Sequence, residues 1–287
     1  FGCDFETTLI VSSSDEFNYD FNISDVSCFV DENNDNINDI SDGSISIDLI
    51  GGTEPYTTTV GLLTGEIIAT QTGSSVIFNN LGVGDYFFTP VDIFGCLLEE
   101  QEVFFSISEP APIALESTVF SDYSGFSVAC NGDDNGFINI EIIGGNPPYQ
   151  FDWFNNEGTV NQNTQNLINA PAGAYTVLVS DQNSCELLIN NLVLSEPDII
   201  DVFATDIVSV SCSGASDGAI SIDVNGGVSP YSFSWFFDGT FLSNNPNIFN
   251  LPTGEYSVIV VDNNDCEYQE VFNVTTPNPI LINEIIT

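Results

Sequence analysis

An insertion rich in Asp and Asn carries the clearest metal-binding chemistry in this sequence. The segment DENNDNINDISD places oxygen-bearing side chains at its positions 1, 3, 5, 9 and 12, while position 7 offers a backbone carbonyl. Oxygens at this spacing are typical of loops that bind Ca²⁺. We therefore expect calcium as a cofactor, held by Asp31, Asn33, Asp35, Ile37, Asp39 and Asp42.

The insertion departs from the usual calcium loop at two positions. Position 6 is Asn36 rather than Gly, which is tolerable because Asn accepts left-handed backbone conformations. Position 12 is Asp42 rather than Glu, which weakens the expectation of a bidentate contact there. The alternative is that these Asp and Asn residues simply populate a solvated loop, as both residue types often do.

Seven cysteines supply the second kind of chemistry, and Cys3 is left over when the other six are paired. Each predicted pair would close a loop of roughly 50 to 70 residues and contribute about 4 kcal/mol through the entropy of the unfolded chain. Such a set indicates an oxidising compartment outside the cytoplasm. Reduced, buried cysteines are the alternative, and zinc is disfavoured because the chain has no His and no Cys-x-x-Cys. The predicted disulfides, one within each of three sequence copies, are Cys28–Cys96, Cys130–Cys185 and Cys212–Cys266.

The charge composition excludes several classes of function. The chain has 42 acidic residues and no Lys, Arg or His. Because it cannot neutralise phosphates, we expect no binding to nucleic acid or to an anionic membrane surface. The usual bases that activate a Ser or Cys nucleophile are missing as well. Carboxylate chemistry of the glycosidase kind remains open, but no unique pair of acids stands out, and we expect no enzymatic activity.

The sequence repeats with a period of roughly 80 to 100 residues, which is the size of a domain. Each copy holds a Gly-Gly pair before Pro-Tyr, then a Gly-x-Tyr start to an apolar run, then Asp-x-x-x-Cys. Apolar and polar residues alternate in short runs such as SISIDLI and FINIEII, and turn residues separate these runs. This pattern predicts an all-β fold of antiparallel β-sandwiches.

Aromatic side chains share one face of a predicted strand in two of the copies. We interpret them as filling the gap between two sheets; the alternative is an exposed platform for sugars. The first copy has Tyr56, Thr58 and Val60 at these places, which favours variable core packing over a shared binding site. The aromatic sets are Tyr149, Phe151 and Trp153 in the second copy and Tyr231, Phe233 and Trp235 in the third.

The copies predict three domains, at residues 15–109, 110–196 and 197–276. Residues 1–14 resemble the end of a copy, and residues 277–287 resemble the start of one. We therefore expect a segment of a longer array, or terminal strands that complete neighbouring subunits by strand exchange. No apolar run is long enough to suggest insertion into a membrane.

Three motifs in these copies resemble a known family. The sequences C-x-G-x-x-[DN]-G-x-I-x-I, GG-x-x-P-Y-x-F-x-W and G-x-Y-x-V-x-V-x-D-x-x-x-C are similar to the SprB-type repeat of large surface adhesins in gliding bacteria. The match is good over Cys130–Pro197 and Cys212–Pro277, and it is weaker in the first copy, which lacks the Trp and carries the insertion. The resemblance implies tandem immunoglobulin-like sandwiches, display at the cell surface, and adhesion or gliding motility, with no catalytic residues.

These observations together favour a structural, non-enzymatic repeat segment of a secreted bacterial surface adhesin or extracellular fibre, stiffened by calcium and disulfides. A filament-forming subunit joined by strand exchange is one alternative, and a calcium-dependent carbohydrate-binding module is another. The expected partners are neighbouring repeats or copies of the same chain. Surface glycans and basic proteins are further candidates, since the 42 negative charges must be balanced from outside.

Overall fold

The computed structural model describes residues 16–30, 40–96 and 102–277 of the chain. These residues form β-strands joined by turns, and no helix occurs among them. Accordingly, the described residues include no helix long and apolar enough to cross a membrane. Most of the predicted calcium ligands lie outside these residues, as do residues 1–14 and all but the first residue of 277–287.

The strands fall into three consecutive groups of seven, which we call repeats 1, 2 and 3. Repeat 1 consists of β1 (Asn18–Ser24), β2 (Gly43–Ile50), β3 (Thr57–Leu62), β4 (Ile67–Thr72), β5 (Ser75–Leu81), β6 (Gly84–Val91) and β7 (Val103–Ile107).

Repeats 2 and 3 contain the same succession of strands. Repeat 2 consists of β8 (Ala114–Phe120), β9 (Gly136–Ile143), β10 (Gln150–Asn155), β11 (Gly158–Val160), β12 (Leu167–Ala170), β13 (Gly173–Ser180) and β14 (Glu186–Leu194). Repeat 3 consists of β15 (Asp201–Val208), β16 (Gly218–Asn225), β17 (Ser232–Phe237), β18 (Thr240–Ser243), β19 (Ile248–Leu251), β20 (Gly254–Val261) and β21 (Glu267–Val274).

The strands of every repeat are divided between two sheets in the same way. The first, second and fifth strands form a three-stranded sheet, and the remaining four form the second sheet, in the orders β1-β2-β5 and β4-β3-β6-β7 for repeat 1. Neighbouring strands run antiparallel, as in β2 with β5 and β3 with β6. The result is a seven-stranded sandwich, as the alternating sequence pattern predicts.

Alternation along each strand decides which side chains enter the core. In β2, Ile45, Ile47 and Leu49 are buried while the residues between them are partly or fully exposed. They pack against side chains of the opposite sheet, including Val60 and Phe88. Burying a side chain of this size typically contributes about 1.5–3 kcal/mol, so the alternation itself supplies much of the driving force for the sandwich.

The two tryptophans belong to this core. Trp153 and Trp235 are fully buried, and each indole N–H donates to a backbone oxygen, at 3.0 Å to Thr164 and 3.1 Å to Asn245. The interpretation of the two tryptophans as core packing is confirmed, and neither of them can belong to an exposed aromatic platform for sugars.

A buried tyrosine marks the same corner in all three repeats. The hydroxyl groups of Tyr86, Tyr175 and Tyr256 each donate to the backbone oxygen four residues earlier, at 2.8 Å. Burial raises the pKa of all three hydroxyls, which keeps them protonated as donors. A tyrosine at this place is a hallmark of immunoglobulin-like sandwiches. The predicted fold class, tandem immunoglobulin-like sandwiches that carry disulfides, is confirmed.

The described residues form two compact units whose borders pass through repeat 2. One unit comprises the described residues up to Ala114 together with Ile142–Tyr149 and Val179–Leu187. The other comprises Leu115–Glu141, Gln150–Leu178 and the described residues from Leu188 onwards. One end of repeat 2 is thus integrated with repeat 1, and the predicted domain boundaries stay a prediction.

Replacing Thr58 by Val should stabilise repeat 1. Thr58 takes the place of Phe151 and is fully buried, and its hydroxyl has no hydrogen-bond partner. Valine removes this unsatisfied group while nearly keeping the shape, so we expect the free energy of unfolding to rise by about 1 kcal/mol. Guanidinium unfolding followed by circular dichroism measures the change. Thr59→Val is the matched control, because that hydroxyl lies 3.1 Å from the Thr70 hydroxyl, and it should give no gain. A Thr58→Val variant no more stable than wild type would contradict the prediction.

Candidate functional site: the junctions between repeats

A buried aspartate ends the Gly-x-Tyr strand of each repeat. In repeat 2 this is Asp181, which is 3% exposed. Its Oδ1 accepts hydrogen bonds from the backbone N–H groups of Asn183 at 2.8 Å and Cys185 at 2.9 Å. Asp92 and Asp262 make the same pair of bonds to the residues two and four positions later. The carboxylate therefore fixes the turn that carries the cysteine.

The second oxygen of this carboxylate holds the Gly-Gly loop. Oδ2 of Asp181 accepts from the N–H of Asn146 at 2.8 Å, and Oδ2 of Asp262 accepts from the N–H of Val228 at 2.8 Å. In repeat 1, hydrogen bonds led by the N–H of Cys96 outweigh desolvation and lower the pKa of Asp92. Backbone N–H groups thus stabilise the aspartate carboxylate in place of a cationic side chain, which this sequence does not contain.

The Gly-Gly loop of repeat 2 receives the linker that arrives from repeat 1. Gly144 and Gly145 have φ values of 75° and 61°, in the left-handed region that favours glycine. A Cβ on Gly144 would lie 1.9 Å from the carbonyl oxygen of Pro112, so no side chain fits there. The N–H of Gly145 donates to the carbonyl of Ala111 at 2.6 Å.

The same contact recurs where repeat 2 leads into repeat 3. A Cβ on Gly226 would lie 1.9 Å from the carbonyl oxygen of Ile199, and the N–H of Gly227 donates to the carbonyl of Asp198 at 2.8 Å. At both junctions the Gly-Gly pair therefore forms the seat of the preceding linker, which means that it contacts the linker backbone closely and donates a hydrogen bond to it.

Each junction is closed by a disulfide between consecutive repeats. Cys28 of repeat 1 bonds to Cys185 of repeat 2, and Cys130 of repeat 2 bonds to Cys266 of repeat 3, with a Cα–Cα distance of 5.6 Å in both. The first cysteine of one repeat, which we call the start cysteine, thus pairs with the cysteine of the aspartate turn in the next repeat, the turn cysteine. The predicted pairing within copies, Cys28–Cys96, Cys130–Cys185 and Cys212–Cys266, is wrong.

The length of the last strand explains why pairing within a copy fails. In repeat 3 the turn cysteine, Cys266, immediately precedes β21. The start cysteine, Cys212, lies by the other end of that strand, where the N–H of Val210 donates to the carbonyl of Thr275 at 3.1 Å. Eight residues of strand span about 26 Å. The Cα atoms of a disulfide are usually 4.4–6.8 Å apart, so the two cysteines of one repeat are out of reach of each other.

An asparagine in the aspartate turn completes both junctions. Asn183 donates from Nδ2 to the carbonyl of Ser27 at 2.9 Å, and Asn264 donates to the carbonyl of Ala129 at 3.1 Å. Each of these carbonyls belongs to the residue just before the start cysteine. Sequence reasoning missed these asparagines, although Asp-x-Asn-x-Cys occurs in both turns. Repeat 1 has Phe94 at this position instead.

Two described cysteines, Cys96 and Cys212, are free and exposed. Cys96 is the turn cysteine of repeat 1, and Cys212 is the start cysteine of repeat 3. The negative charge of Asp92 raises the pKa of the Cys96 thiol.

Asp42, one of the predicted calcium ligands, has a structural partner. Its carboxylate accepts hydrogen bonds from both the backbone N–H and the hydroxyl of Ser27, which lower its pKa. Asn135 and Asp217 accept the equivalent backbone N–H in repeats 2 and 3, at 3.0 and 2.9 Å. The side chain at this position therefore holds the same turn in all three repeats, by accepting the N–H of the residue before the start cysteine. The other five predicted ligands, from Asp31 to Asp39, lie outside the described residues, and no cluster of metal-binding side chains occurs in the part of the chain that the structure describes.

Comparison with known families finds matches within repeats 2 and 3. The family model described as SprB repeat matches this chain twice, at residues 127–158 and 204–236. One segment of repeat 2 and one segment of repeat 3 are thus similar to the SprB repeat. The first matched segment includes the start cysteine Cys130 and the Gly-Gly loop of repeat 2, but not the turn cysteine Cys185. The family resemblance expected from the sequence motifs is confirmed, and no curated protein sequence matches the chain.

Several solved structures align with most of this chain. Three N-terminal domains of the Hoc outer capsid protein of bacteriophage RB49 align over 90% of this chain and 95% of that one, with 11% identity and a TM-score of 0.41. The mouse nectin-like molecule 4 ectodomain aligns over 91% of this chain and 96% of that one, with 10% identity and a TM-score of 0.31. Chicken CNTN1 domains FN1–FN3 align over 84% and 97%, with 14% identity and a TM-score of 0.27.

The disulfide pairing between consecutive repeats can be tested with one engineered cleavage. Because the chain has no Lys or Arg, Asp198→Arg creates a unique trypsin site in the linker between repeats 2 and 3. The side chain of Asp198 is exposed. After alkylation of free thiols and denaturation, trypsin should leave one band on a non-reducing gel, because Cys130–Cys266 joins the two fragments. Reduction should release fragments 1–198 and 199–287.

The wild-type chain is the control and should remain uncut under the same conditions. Release of both fragments without reductant would contradict the pairing between repeats, since disulfides within copies leave nothing across the cleaved linker.

Proposed function

We propose that this chain is a structural, non-enzymatic repeat segment of a secreted bacterial surface adhesin or extracellular fibre. The observation that carries the proposal is the disulfide between consecutive repeats, Cys28–Cys185 and Cys130–Cys266. A bond at this place holds two repeats together even when the contacts of the linker break. Such a link serves a protein whose task is to stay connected while it is pulled or exposed to solvent.

The fixed linkers support the same role. Each linker is held in the Gly-Gly loop of the next repeat by a backbone hydrogen bond, at 2.6 Å to Ala111 and 2.8 Å to Asp198. Flexible connections between domains are the usual expectation for separate modules. Here the linker, the loop and the disulfide act on the same pair of repeats, which favours a spacer over independently moving binding domains.

The chemistry of the buried acids favours a non-enzymatic role. The buried carboxylates of Asp92, Asp181 and Asp262 are each engaged by backbone N–H groups, one in each repeat. A glycosidase needs two carboxylates facing one sugar, with one of them kept protonated. The oxygens of these three carboxylates are already used by their turns, and each carboxylate lies in a different repeat, so they do not form such a pair.

The disulfides support a location outside the cytoplasm, since such bonds persist in oxidising compartments. We infer display at the bacterial cell surface or in an extracellular filament, with neighbouring repeats as the main partners. Surface glycans and basic proteins are the remaining candidate ligands of the acidic surface.

Surface location and adhesion test this proposal together. An antibody raised against the chain should label intact cells of the producing bacterium, and deletion of residues 16–277 should reduce attachment of the cells to a solid surface. Deletion of an equal length elsewhere in the same protein is the control for general loss of secretion. Label that appears only after the cells are permeabilised would overturn the proposal.

We also propose that the insertion binds calcium through Asp31, Asn33, Asp35, Asp39, Asp42 and the carbonyl of Ile37. The support is the spacing of the oxygens, and the carboxylate of Asp42 also accepts hydrogen bonds from Ser27. Calcium at a hundred times its Kd would stabilise the folded state by about 2.7 kcal/mol. We therefore expect the melting temperature to be several degrees higher in calcium than in EDTA.

Two variants make the calcium test specific. The difference between calcium and EDTA should disappear when Asp31 and Asp35 are both replaced by Ala. It should persist in Asp134→Ala, which removes an exposed acid from the short loop of repeat 2 at the same place. Identical melting of the wild type in calcium and in EDTA would contradict the proposal.

A further inference from the structure

We propose that Cys212 of one copy forms a disulfide with Cys96 of a second copy, which joins copies head to tail. The bond would reproduce the junction that links consecutive repeats within the chain, where a start cysteine meets a turn cysteine. This inference rests on the geometry of the junctions and not on the proposed cell-surface role.

The turn that holds Cys96 is already built for a disulfide. The N–H of Asp92 donates to the carbonyl of Cys96 at 3.2 Å, and Oδ1 of Asp92 accepts from the N–H of Cys96 at 2.9 Å. At the bonded Cys185 the corresponding distances from Asp181 are 3.0 and 2.9 Å. The thiol of Cys96 thus sits on the same turn as the two bonded turn cysteines, but it is exposed and free.

The Gly-Gly loop beside Cys96 also has the conformation of a linker seat. Gly51 and Gly52 have φ values of 78° and 64°, close to the 75° and 61° of Gly144 and Gly145. In repeat 1 the nearest side chain that a Cβ on Gly52 would meet is Phe17, at 3.2 Å. Phe17 takes the place that Ile113 has beside Gly145, so the chain's own residues fill this loop, and the turn cysteine is the part of the junction that stays open in repeat 1.

The loop that holds Cys212 matches the bonded start cysteines equally well. The carbonyl of Cys212 accepts from the N–H of Ala215 at 3.1 Å, as the carbonyl of Cys130 accepts from Asp133 at 3.1 Å. The N–H of Ser211, just before the cysteine, donates to Asp217 at 2.9 Å. Repeat 3 therefore offers the half of the junction that repeat 1 is able to receive.

The surface around Cys96 differs from the other two turns in a way that suits a protein partner. Ile93 and Phe94 are 57% and 77% exposed, whereas repeat 2 has Gln182 and Asn183 at these positions. Phe94 cannot donate the hydrogen bond that Asn183 makes to the carbonyl before the start cysteine. Association at this place would instead bury two apolar side chains next to the new disulfide.

Formation of the bond is a two-electron oxidation. The two S–H bonds break, one S–S bond forms, and two protons and two electrons leave. A low-molecular-weight disulfide such as oxidised glutathione accepts them: one thiolate displaces a glutathione thiolate to give a mixed disulfide, and the second protein thiolate then displaces the other glutathione.

Complementary single variants test the pairing. All proteins carry Cys3→Ser to remove the remaining cysteine, and one variant adds Cys96→Ser while the other adds Cys212→Ser. Each variant alone should remain monomeric on a non-reducing gel after incubation in a glutathione redox buffer. An equal mixture should yield one disulfide-linked dimer that disappears on reduction, and the protein with both cysteines should yield a ladder of larger species.

Peptide mapping of the dimer should identify a Cys96–Cys212 bond. Equal melting temperatures of the two variants and the parent show that the repeats remain folded. A monomeric mixture would overturn the proposal, and so would dimers formed as readily by either variant alone. None of these readings depends on where the protein is located, so failure here leaves the proposed adhesin role to its own test.

Discussion

The structure of every repeat depends on one buried aspartate whose carboxylate is stabilised by backbone N–H groups instead of a cation. Asp92, Asp181 and Asp262 end equivalent strands, and each accepts hydrogen bonds from backbone N–H groups of its own turn. In a chain without Lys, Arg or His, a buried acid can be stabilised only by such dipoles, by bound ions or by partners. Because one oxygen fixes the cysteine turn and the other fixes the Gly-Gly loop, this single residue places both contacts that the next repeat requires.

The junction follows from that placement. The loop that the carboxylate holds has no room for side chains at Gly144 or Gly226, and it is filled by the backbone of the arriving linker. The turn cysteine is held beside it, within reach of the start cysteine of the preceding repeat. A local hydrogen-bond pattern within one repeat is thereby converted into a covalent bond between two. Cys96 is a turn cysteine and Cys212 is a start cysteine, and neither has a disulfide partner among the described residues.

The sequence was sufficient to predict the strands and the core, since both follow from local periodicity. The alternation around Ile45 and Ile47 and the aromatic face ending in Trp153 state directly which side chains are buried. The disulfide pairing could not be predicted in this way. Equal spacing assigns one start and one turn cysteine to each copy, but it does not show that Cys212 and Cys266 lie at opposite ends of a strand. Spacing alone likewise did not indicate that the carboxylate of Asp42, a predicted calcium ligand, accepts hydrogen bonds from Ser27.

The charge of the chain explains why its junctions take this form. A net charge of −42 means that consecutive repeats repel one another, and no salt bridge between side chains can offset the repulsion. Attraction must therefore come from interactions that need no opposite charge: the disulfide, the backbone hydrogen bonds of the Gly-Gly loop and apolar contacts. Added salt screens the repulsion between exposed charges but removes none of these attractions. A junction built in this way is held at low ionic strength by the covalent bond, and it gains rather than loses stability as the salt concentration rises.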